Sequence, residues 1–192
     1  SIVFTGEKKT TRPEIVFVRY NADQIEERQV AYQEKLPYIE SPTRSHIKWY
    51  DVRGLHDTQL VEAIGNTFKI HPLFLEDVVD TQQRPKFEEL GQNLFITLRS
   101  LTYNKEQHKC LTQQISIVIG PGYLVTFQED ADDLFANVRN RLNASRGRVR
   151  GRGSDYLAYA LIDDIVDHYF VLLDRIEDDA HLAIRGNITD LV

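Results

Sequence analysis

The amino-acid sequence predicts an α+β fold, in which a mostly antiparallel central sheet is flanked by helices and the chain ends in a long exit helix. In the middle of the chain, strand-length segments rich in branched and aromatic residues follow one another with short connections, which favours antiparallel pairing. From Ala131 onward the apolar residues recur at the helical period instead. A chain of 192 residues is long enough for one sizeable domain.

The first half of the chain shows the alternation that is typical of strands. Residues 2–4, 14–20 and 46–51 combine branched and aromatic side chains, and turn residues separate them. Asp57 is then predicted to cap a helix, because apolar residues recur at helical spacing after it. These apolar residues are Leu60, Val61, Ile64 and Phe68.

Further along the chain, a short helix over residues 71–80 precedes a run of strands. The strand candidates are residues 86–90, 93–101, 112–119 and 123–127. The sequence Gly-Pro-Gly at 120–122 predicts a tight hairpin between the last two, because glycine and proline favour turn conformations.

The last part of the chain is predicted to be helical. Residues 134–142 carry one apolar stripe, and six arginines fall within residues 139–152. A long helix is then expected, with Ser154 as its N-cap and Asp155 favourable in its first turn. It should continue to about residue 184, because Gly-Asn at 186–187 disfavours helix. We therefore expect an α/β domain over 1–150, followed by the long helix over 151–192.

Composition excludes several functional classes. The net charge of −6 argues against a nucleic-acid binder, which usually has a basic surface. The single cysteine, Cys110, excludes an internal disulfide framework and a cysteine-based zinc site, and it fits a reducing cytoplasm. No phosphate-binding glycine loop, nucleophile elbow or Ser/His/Asp arrangement is present. No apolar run approaches the ~18 residues of a membrane helix.

The most informative motif is His-Pro-Leu-Phe-Leu-Glu-Asp at residues 71–77, followed by Gln-Arg-Pro-Lys at 83–86. Pro72 suits the first turn of a helix, and the second proline requires that helix to end before it. Glu76 and Asp77 then lie near the end of a short helix, where they can bind a hard cation such as Mg²⁺. Taken alone, an exposed Glu-Asp pair is more often a solvated face.

The long helix carries a second acidic pattern. At ~100° per residue, Asp163, Asp167, Asp174 and Asp178 fall on one flank within an arc of ~60°. For the last two, a solvated acidic face is the favoured interpretation. Asp163 is the best candidate for a cation ligand, because apolar residues flank it and a buried unpaired carboxylate is costly.

Two other groups of side chains are candidate binding sites. His71 has no second histidine three or four residues away, so it is expected to make a local hydrogen bond at the helix start. The arginines of 139–152 form a possible phosphate-binding segment for nucleic acid or anionic lipid. Aromatic residues are not interleaved with them, so intramolecular ion pairs are favoured.

These motifs, together with Asp155-Tyr-Leu-Ala-Tyr159 and Ile162-Asp-Asp-Ile-Val-Asp-His-Tyr-Phe170, resemble the cytoplasmic domain of the CorA family of Mg²⁺/Co²⁺ channels. The resemblance runs over about residues 47–184. It implies an α/β/α sandwich, with 1–150 as a metal-sensing domain and 151–192 leading to an absent stalk and membrane part. It also implies a homopentamer at the inner (plasma) membrane, with this domain on the cytoplasmic side.

The resemblance implies no chemistry on a substrate, so we expect that this is not an enzyme. It further implies a regulatory metal site. In CorA-like channels, divalent cations bind between the cytoplasmic domains of neighbouring subunits and hold the pore closed. Glu76, Asp77 and Asp163 stand at the matching carboxylate positions, whereas the stalk carboxylate lies beyond Val192. The expected ion is Mg²⁺, with Co²⁺, Zn²⁺ or another divalent cation as an alternative.

Two alternative functions stay open on the sequence alone. A zinc-transporting branch of CorA relatives shares this architecture, so the same domain of such a relative is an alternative, and this part of the chain leaves the transported ion open. It also fits a stand-alone acidic module that binds metal or a partner. The sequence after Val192 distinguishes the last case, because a channel needs two apolar runs of ~20 residues and, in this family, a Gly-Met-Asn motif.

Overall fold

The computed structural model describes residues 2–30, 39–104, 109–144 and 149–189. One mixed sheet lies at its centre. Its strands are β1 (Glu14–Tyr20), β2 (Ile25–Gln29), β3 (Ile47–Arg53), β4 (Lys86–Leu90), β5 (Asn93–Asn104), β6 (Lys109–Gly120) and β7 (Tyr123–Gln128). They are ordered β2-β1-β3-β7-β6-β5-β4. Neighbouring strands are antiparallel except β3 and β7, which are parallel, so the predicted mostly antiparallel sheet is confirmed.

Most of the predicted strands are present, and β5 and β6 are longer than predicted. The Gly-Pro-Gly hairpin is confirmed: Gly122 has a φ of 78°, and a Cβ there would lie 2.5 Å from the Thr43 carbonyl oxygen. The expected strand at residues 2–4 is wrong, since only an isolated bridge from Thr5 to Asp80 forms there. Strand β2 was not predicted, because its sequence Ile-Glu-Glu-Arg-Gln carries the charges of an exposed edge strand.

Helices complete the fold: α1 (Thr58–Phe68), α2 (Pro72–Val79), α3 (Ala136–Asn143) and α4 (Ser154–Thr189), with a 3₁₀ turn at Val149–Gly151. Asp57 caps α1 as predicted, accepting a hydrogen bond from Leu60 N at 3.0 Å. Two details of α4 differ from prediction. Ser154 is already helical, and its hydroxyl donates to the Gly120 carbonyl at 2.8 Å. The helix also continues through 186–187.

The helices cover both faces of the sheet, as an α/β/α sandwich requires. Buried residues of α1 and α2 form one apolar core with one face of the sheet, including Leu60, Ile64 and Phe74. Buried residues of α3 and α4 form a second core with the opposite face, including Val138 and Leu161. Successive strand residues alternate between the two cores, because side chains of a strand point to opposite faces. Helices α2 and α4 therefore lie on opposite sides of the sheet.

Asp51 is a fully buried carboxylate at the junction of β3 and β7. Its Oδ1 accepts hydrogen bonds from Thr126 Oγ1 at 2.7 Å and from Gln128 Nε2 at 2.5 Å. Its Oδ2 accepts from Arg53 Nη2 at 2.9 Å and from Arg139 Nη1 at 3.3 Å. A buried charge needs such partners to offset its desolvation. This one carboxylate therefore connects β3, β7 and α3.

Arg139 shows what one of the clustered arginines does. It is buried, and besides Asp51 it forms ion pairs with Asp133 and Glu27. Its guanidinium lies 5.7 Å from the ring centroid of Trp49. This arginine therefore belongs to an intramolecular network of ion pairs, as the favoured interpretation predicted, but it is buried, whereas the segment was expected to be solvated. Arg146 and Arg148 of the same segment lie outside the described residues.

Asp164 is the buried carboxylate between α3 and α4. Its Oδ1 accepts a hydrogen bond from Asn137 Nδ2 at 3.3 Å, whereas its Oδ2 has no hydrogen-bond partner within the described parts of the chain. Burial raises the pKa of Asp164, and the Asn137 hydrogen bond opposes this effect only in part.

We predict that Asp51→Asn destabilises the fold by about 3 kcal/mol, because removing the central charge of a buried ion-pair network leaves its two arginines with only their peripheral carboxylate partners. Urea unfolding followed by circular dichroism measures this loss. The matched control is Asp23→Asn at an exposed turn, which is expected to change stability by less than about 0.5 kcal/mol. Equal urea midpoints for Asp51→Asn and the wild type would show that the network contributes nothing.

A second prediction concerns pH. Because the folded-state pKa of Asp164 is raised, its ionisation lowers stability. The penalty is absent below the unfolded pKa of about 3.9 and is complete above the folded value. We expect the stability of Asp164→Asn relative to wild type to rise as pH increases through this window and then to level off. Urea midpoints across pH measure it, with exposed Asp178→Asn as control. A difference independent of pH contradicts the prediction.

Candidate metal site

Helix α2 presents the two predicted carboxylates at the protein surface. Pro72 occupies its first turn, and His71 Nδ1 accepts a hydrogen bond from Leu73 N at 3.2 Å, so the local role predicted for His71 is confirmed. Glu76 is exposed, and the Asp77 side chain retains 17% of its accessible surface. The opposite side of the helix is buried through Phe74, Leu75, Val78 and Val79. Packing of this apolar side fixes the direction in which the carboxylates point.

The C-terminal end of α2 is attached to the sheet and to the N-terminal segment. The Asp77 carbonyl accepts a hydrogen bond from Gln114 Nε2 at 3.0 Å, and the Val79 carbonyl accepts one from Thr5 N at 3.0 Å. Both bonds satisfy carbonyls that a helix end leaves unpaired. The last turn of α2 contains no basic residue. The negative end of the helix dipole and two carboxylates therefore lie at the same end of α2. Their combined negative potential favours a bound cation.

Lys86 is the side chain that the fold brings to Asp77. Its Nζ lies 2.6 Å from Asp77 Oδ2 and 3.4 Å from Glu88 Oε1. Partial burial disfavours the charged ammonium, but the hydrogen bond and charge of Asp77 outweigh it and raise the pKa of Lys86. Sequence reasoning missed this ion pair. The available signal was the Arg-Pro step, which extends the chain and places the next residue at the start of β4 beside α2.

Asp80 is acidic and close in sequence, yet its carboxylate accepts three hydrogen bonds that hold the loop after α2. Its Oδ1 accepts from Thr5 Oγ1 at 3.0 Å and from Gln82 N at 3.2 Å. Its Oδ2 accepts from Gln83 Nε2 at 2.6 Å. The glutamine of the Gln-Arg-Pro-Lys motif thus shapes the loop, and Asp80 is not available as a ligand.

The structure places Asp163 on the exposed side of α4, away from Glu76 and Asp77. The expectation that Asp163 is buried is wrong: the neighbouring Asp164, turned by ~100° toward α3, is the buried carboxylate. Because the sheet separates α2 from α4, one chain does not bring the three predicted ligands together. Within the described ranges, no three His, Cys, Asp or Glu side chains converge as a metal site.

Helix α4 also exposes large apolar side chains beyond its contact with the sheet. Leu157, Leu161 and Ile165 are buried against the sheet. The outward side nevertheless carries Tyr159, Val166, Phe170, Leu173 and Ile176, each at least 40% exposed. The acidic residues Asp163, Asp167 and Asp174 lie along the same exposed side. This combination of apolar and acidic groups is typical of a surface that contacts another helix.

Sequence comparison connects this architecture to known transporters. The profile of the family described as CorA-like Mg²⁺ transporter protein matches residues 44–184. The chain is 37% identical over 180 residues to the cobalt/magnesium transport protein CorA of Thermotoga maritima, covering 93% of this chain and 50% of that protein. It is 34% identical over 142 residues to the putative metal ion transporter YfjQ of Bacillus subtilis, covering 73% of the chain and 43% of that protein. The chain thus spans about half the length of these relatives.

Solved structures share the fold. The complete CorA magnesium transporter of Methanocaldococcus jannaschii superposes with a TM-score of 0.61 at 19% identity, covering 85% of this chain and 48% of that one. The ZntB cytoplasmic domain of Vibrio parahaemolyticus superposes with a TM-score of 0.60 at 16% identity, covering 85% and 63%. Among the described residues, no helix combines the length and apolarity needed to cross a bilayer. From the matched profile and the identity to the Thermotoga protein, this chain belongs to the CorA-like Mg²⁺ transporter family.

Proposed function

We propose that this chain is the cytoplasmic regulatory domain of an inner-membrane divalent-cation channel, and that it senses Mg²⁺, or Co²⁺, between subunits. One observation carries the proposal: Glu76 and Asp77 lie on one side of the sheet and Asp163 on the other. A Mg²⁺ ion binds oxygens at about 2.1 Å, so carboxylates on opposite faces of one chain cannot share an ion. Carboxylates on facing surfaces of two chains can.

The placement of the ligands suggests the type of assembly. When a chain contributes different surfaces to its two neighbours, the contact is heterologous, and repeated rotation closes a ring. Helix α2 of one copy would then face α4 of the next. The resemblance to CorA proteins makes a homopentamer the expected ring. The exposed apolar side of α4 supports such a contact, because it provides area that a neighbouring helix would cover.

A cation between two acidic surfaces can act as a switch. Facing carboxylates repel one another until an ion offsets their charge, so the ion stabilises the closely packed ring. Loss of the ion favours a looser arrangement, and its concentration therefore biases two states of the assembly. In this scheme residues 1–150 sense the ion. Helix α4, which is 36 residues or about 54 Å long, passes the change toward the membrane part.

The donor atoms favour Mg²⁺ over the zinc alternative. The candidate ligands are carboxylates, which suit hard cations, whereas zinc sites usually include imidazole or thiolate. The nearby His71 ring already accepts a hydrogen bond from α2, and Cys110 lies on β6, outside α2 and α4. The stand-alone module is disfavoured by membership of a transporter family.

We predict that Asp77→Asn and Asp163→Asn in the full-length protein each raise the Mg²⁺ concentration that protects against proteolysis by about tenfold. Loss of one charged ligand weakens binding by roughly that factor. Limited trypsin digestion across a Mg²⁺ titration measures the half-protection point. The matched control is Asp178→Asn, an exposed aspartate further along α4.

The control variant should be protected at the wild-type concentration. If Asp77→Asn and Asp163→Asn also keep the wild-type half-protection point, neither carboxylate is a ligand and the proposed site is wrong. If the half-protection point shifts equally in all three aspartate variants, the shift reflects the total charge of the protein rather than a defined binding site.

A further inference from the structure

We propose that Lys86 is an internal competitor of the divalent cation: it pairs with Asp77 when the site is empty and thereby sets the concentration at which the site fills. This inference rests on the proposed role of Asp77 as a ligand. It adds a residue that regulates that site and that is not itself a ligand.

The geometry places the ammonium group where a cation would bind. Lys86 Nζ lies 2.6 Å from Asp77 Oδ2, which is a short, charge-assisted contact. Both side chains are partly buried, with 27% and 17% of their surface exposed. The ammonium also lies over the ring of Phe95, 5.8 Å from its centroid. Attraction between the cation and the aromatic face helps to hold the ammonium at this position.

The backbone fixes this arrangement. Lys86 is the first residue of β4 and pairs with Thr97 of β5, so the sheet holds its Cα in place. Gln114 of β6 holds the backbone of Asp77 through a hydrogen bond. The sheet therefore holds the backbone of both charged residues in place. In an ion pair between long surface side chains, by contrast, the side chains must be ordered for the contact to form.

An ammonium and a divalent ion compete at such a carboxylate for two reasons. The ammonium covers Oδ2, one of the two carboxylate oxygens through which a metal can bind. Its charge also repels the incoming ion: at a separation of about 5 Å, a unit charge weakens binding of a doubly charged ion roughly tenfold even at the dielectric constant of water.

Glu88 gives the ammonium a second partner. Its Oε1 lies 3.4 Å from Lys86 Nζ, and its side chain is 46% exposed. When a divalent ion takes Asp77, Lys86 can pair with Glu88 without losing all of its ion pairing. Lys86 thus pairs with Asp77 when the site is empty and with Glu88 when it is filled. The free-energy difference between these two pairings contributes to the affinity of the site for the divalent cation.

The test is a titration of the full-length protein with Mg²⁺ alone, in which limited digestion by chymotrypsin, a protease that does not cleave at lysine, gives the Mg²⁺ concentration of half-protection. We compare the wild type, Lys86→Gln and the control Lys109→Gln, which removes an exposed lysine on β6. The half-protection concentration should fall by about tenfold in Lys86→Gln, in line with the loss of one repulsive charge. It should stay unchanged in Lys109→Gln, and Lys86→Arg should behave like the wild type.

The outcomes separate this inference from the proposed function. Mg²⁺-dependent protection with the same half-protection concentration in wild type and Lys86→Gln overturns the competition while leaving the ligand role intact. Absence of Mg²⁺-dependent protection in both proteins overturns both. Equal shifts in Lys86→Gln and Lys109→Gln indicate a general charge effect and also overturn the competition. The circular dichroism spectrum of each variant verifies that it is folded.

Discussion

The buried carboxylate of Asp51 is the interaction on which the rest of the structure depends. It lies where β3 meets β7, the parallel pair that joins two antiparallel units into one sheet. A carboxylate in this position is tolerated only because Thr126, Gln128 and two arginines satisfy it. One of these arginines, Arg139, comes from α3, so the same charge that closes the sheet also attaches a helix to one of its faces.

A sheet covered on both faces has a direct consequence for the site. Helix α2 and its carboxylates belong to one face, whereas α4 and Asp163 belong to the other. Within one chain the sheet keeps these charges apart, so their repulsion does not destabilise the monomer. In the assembly that we propose, they come close where copies of the chain pack side by side. Cation binding would then depend on assembly, which is the property that a sensor of ion concentration needs.

Local chemistry explains what the sequence predicted well. The two prolines bracket α2, so the positions of Glu76 and Asp77 near its end followed from backbone restrictions alone. Tertiary contacts decided the rest. Helical spacing identified the acidic flank of α4, but the crossing of α3 determines that Asp164 and not Asp163 is buried. The pairing of Lys86 with Asp77 depends on how β4 lies beside α2, and strand β2 depends on partners that its charged sequence does not reveal.

The central claim is that the cation site lies between chains, and mixing two defective subunits tests it most directly. Full-length Asp77→Asn and Asp163→Asn subunits are co-expressed, and Mg²⁺-dependent protection of the mixed assembly is measured. If one chain supplies Asp77 and its neighbour supplies Asp163, some interfaces between unlike subunits retain both carboxylates. Protection at the wild-type Mg²⁺ concentration should then partly return. If the mixture behaves only as the average of the two single variants, the ligands do not meet across an interface, and the account is contradicted.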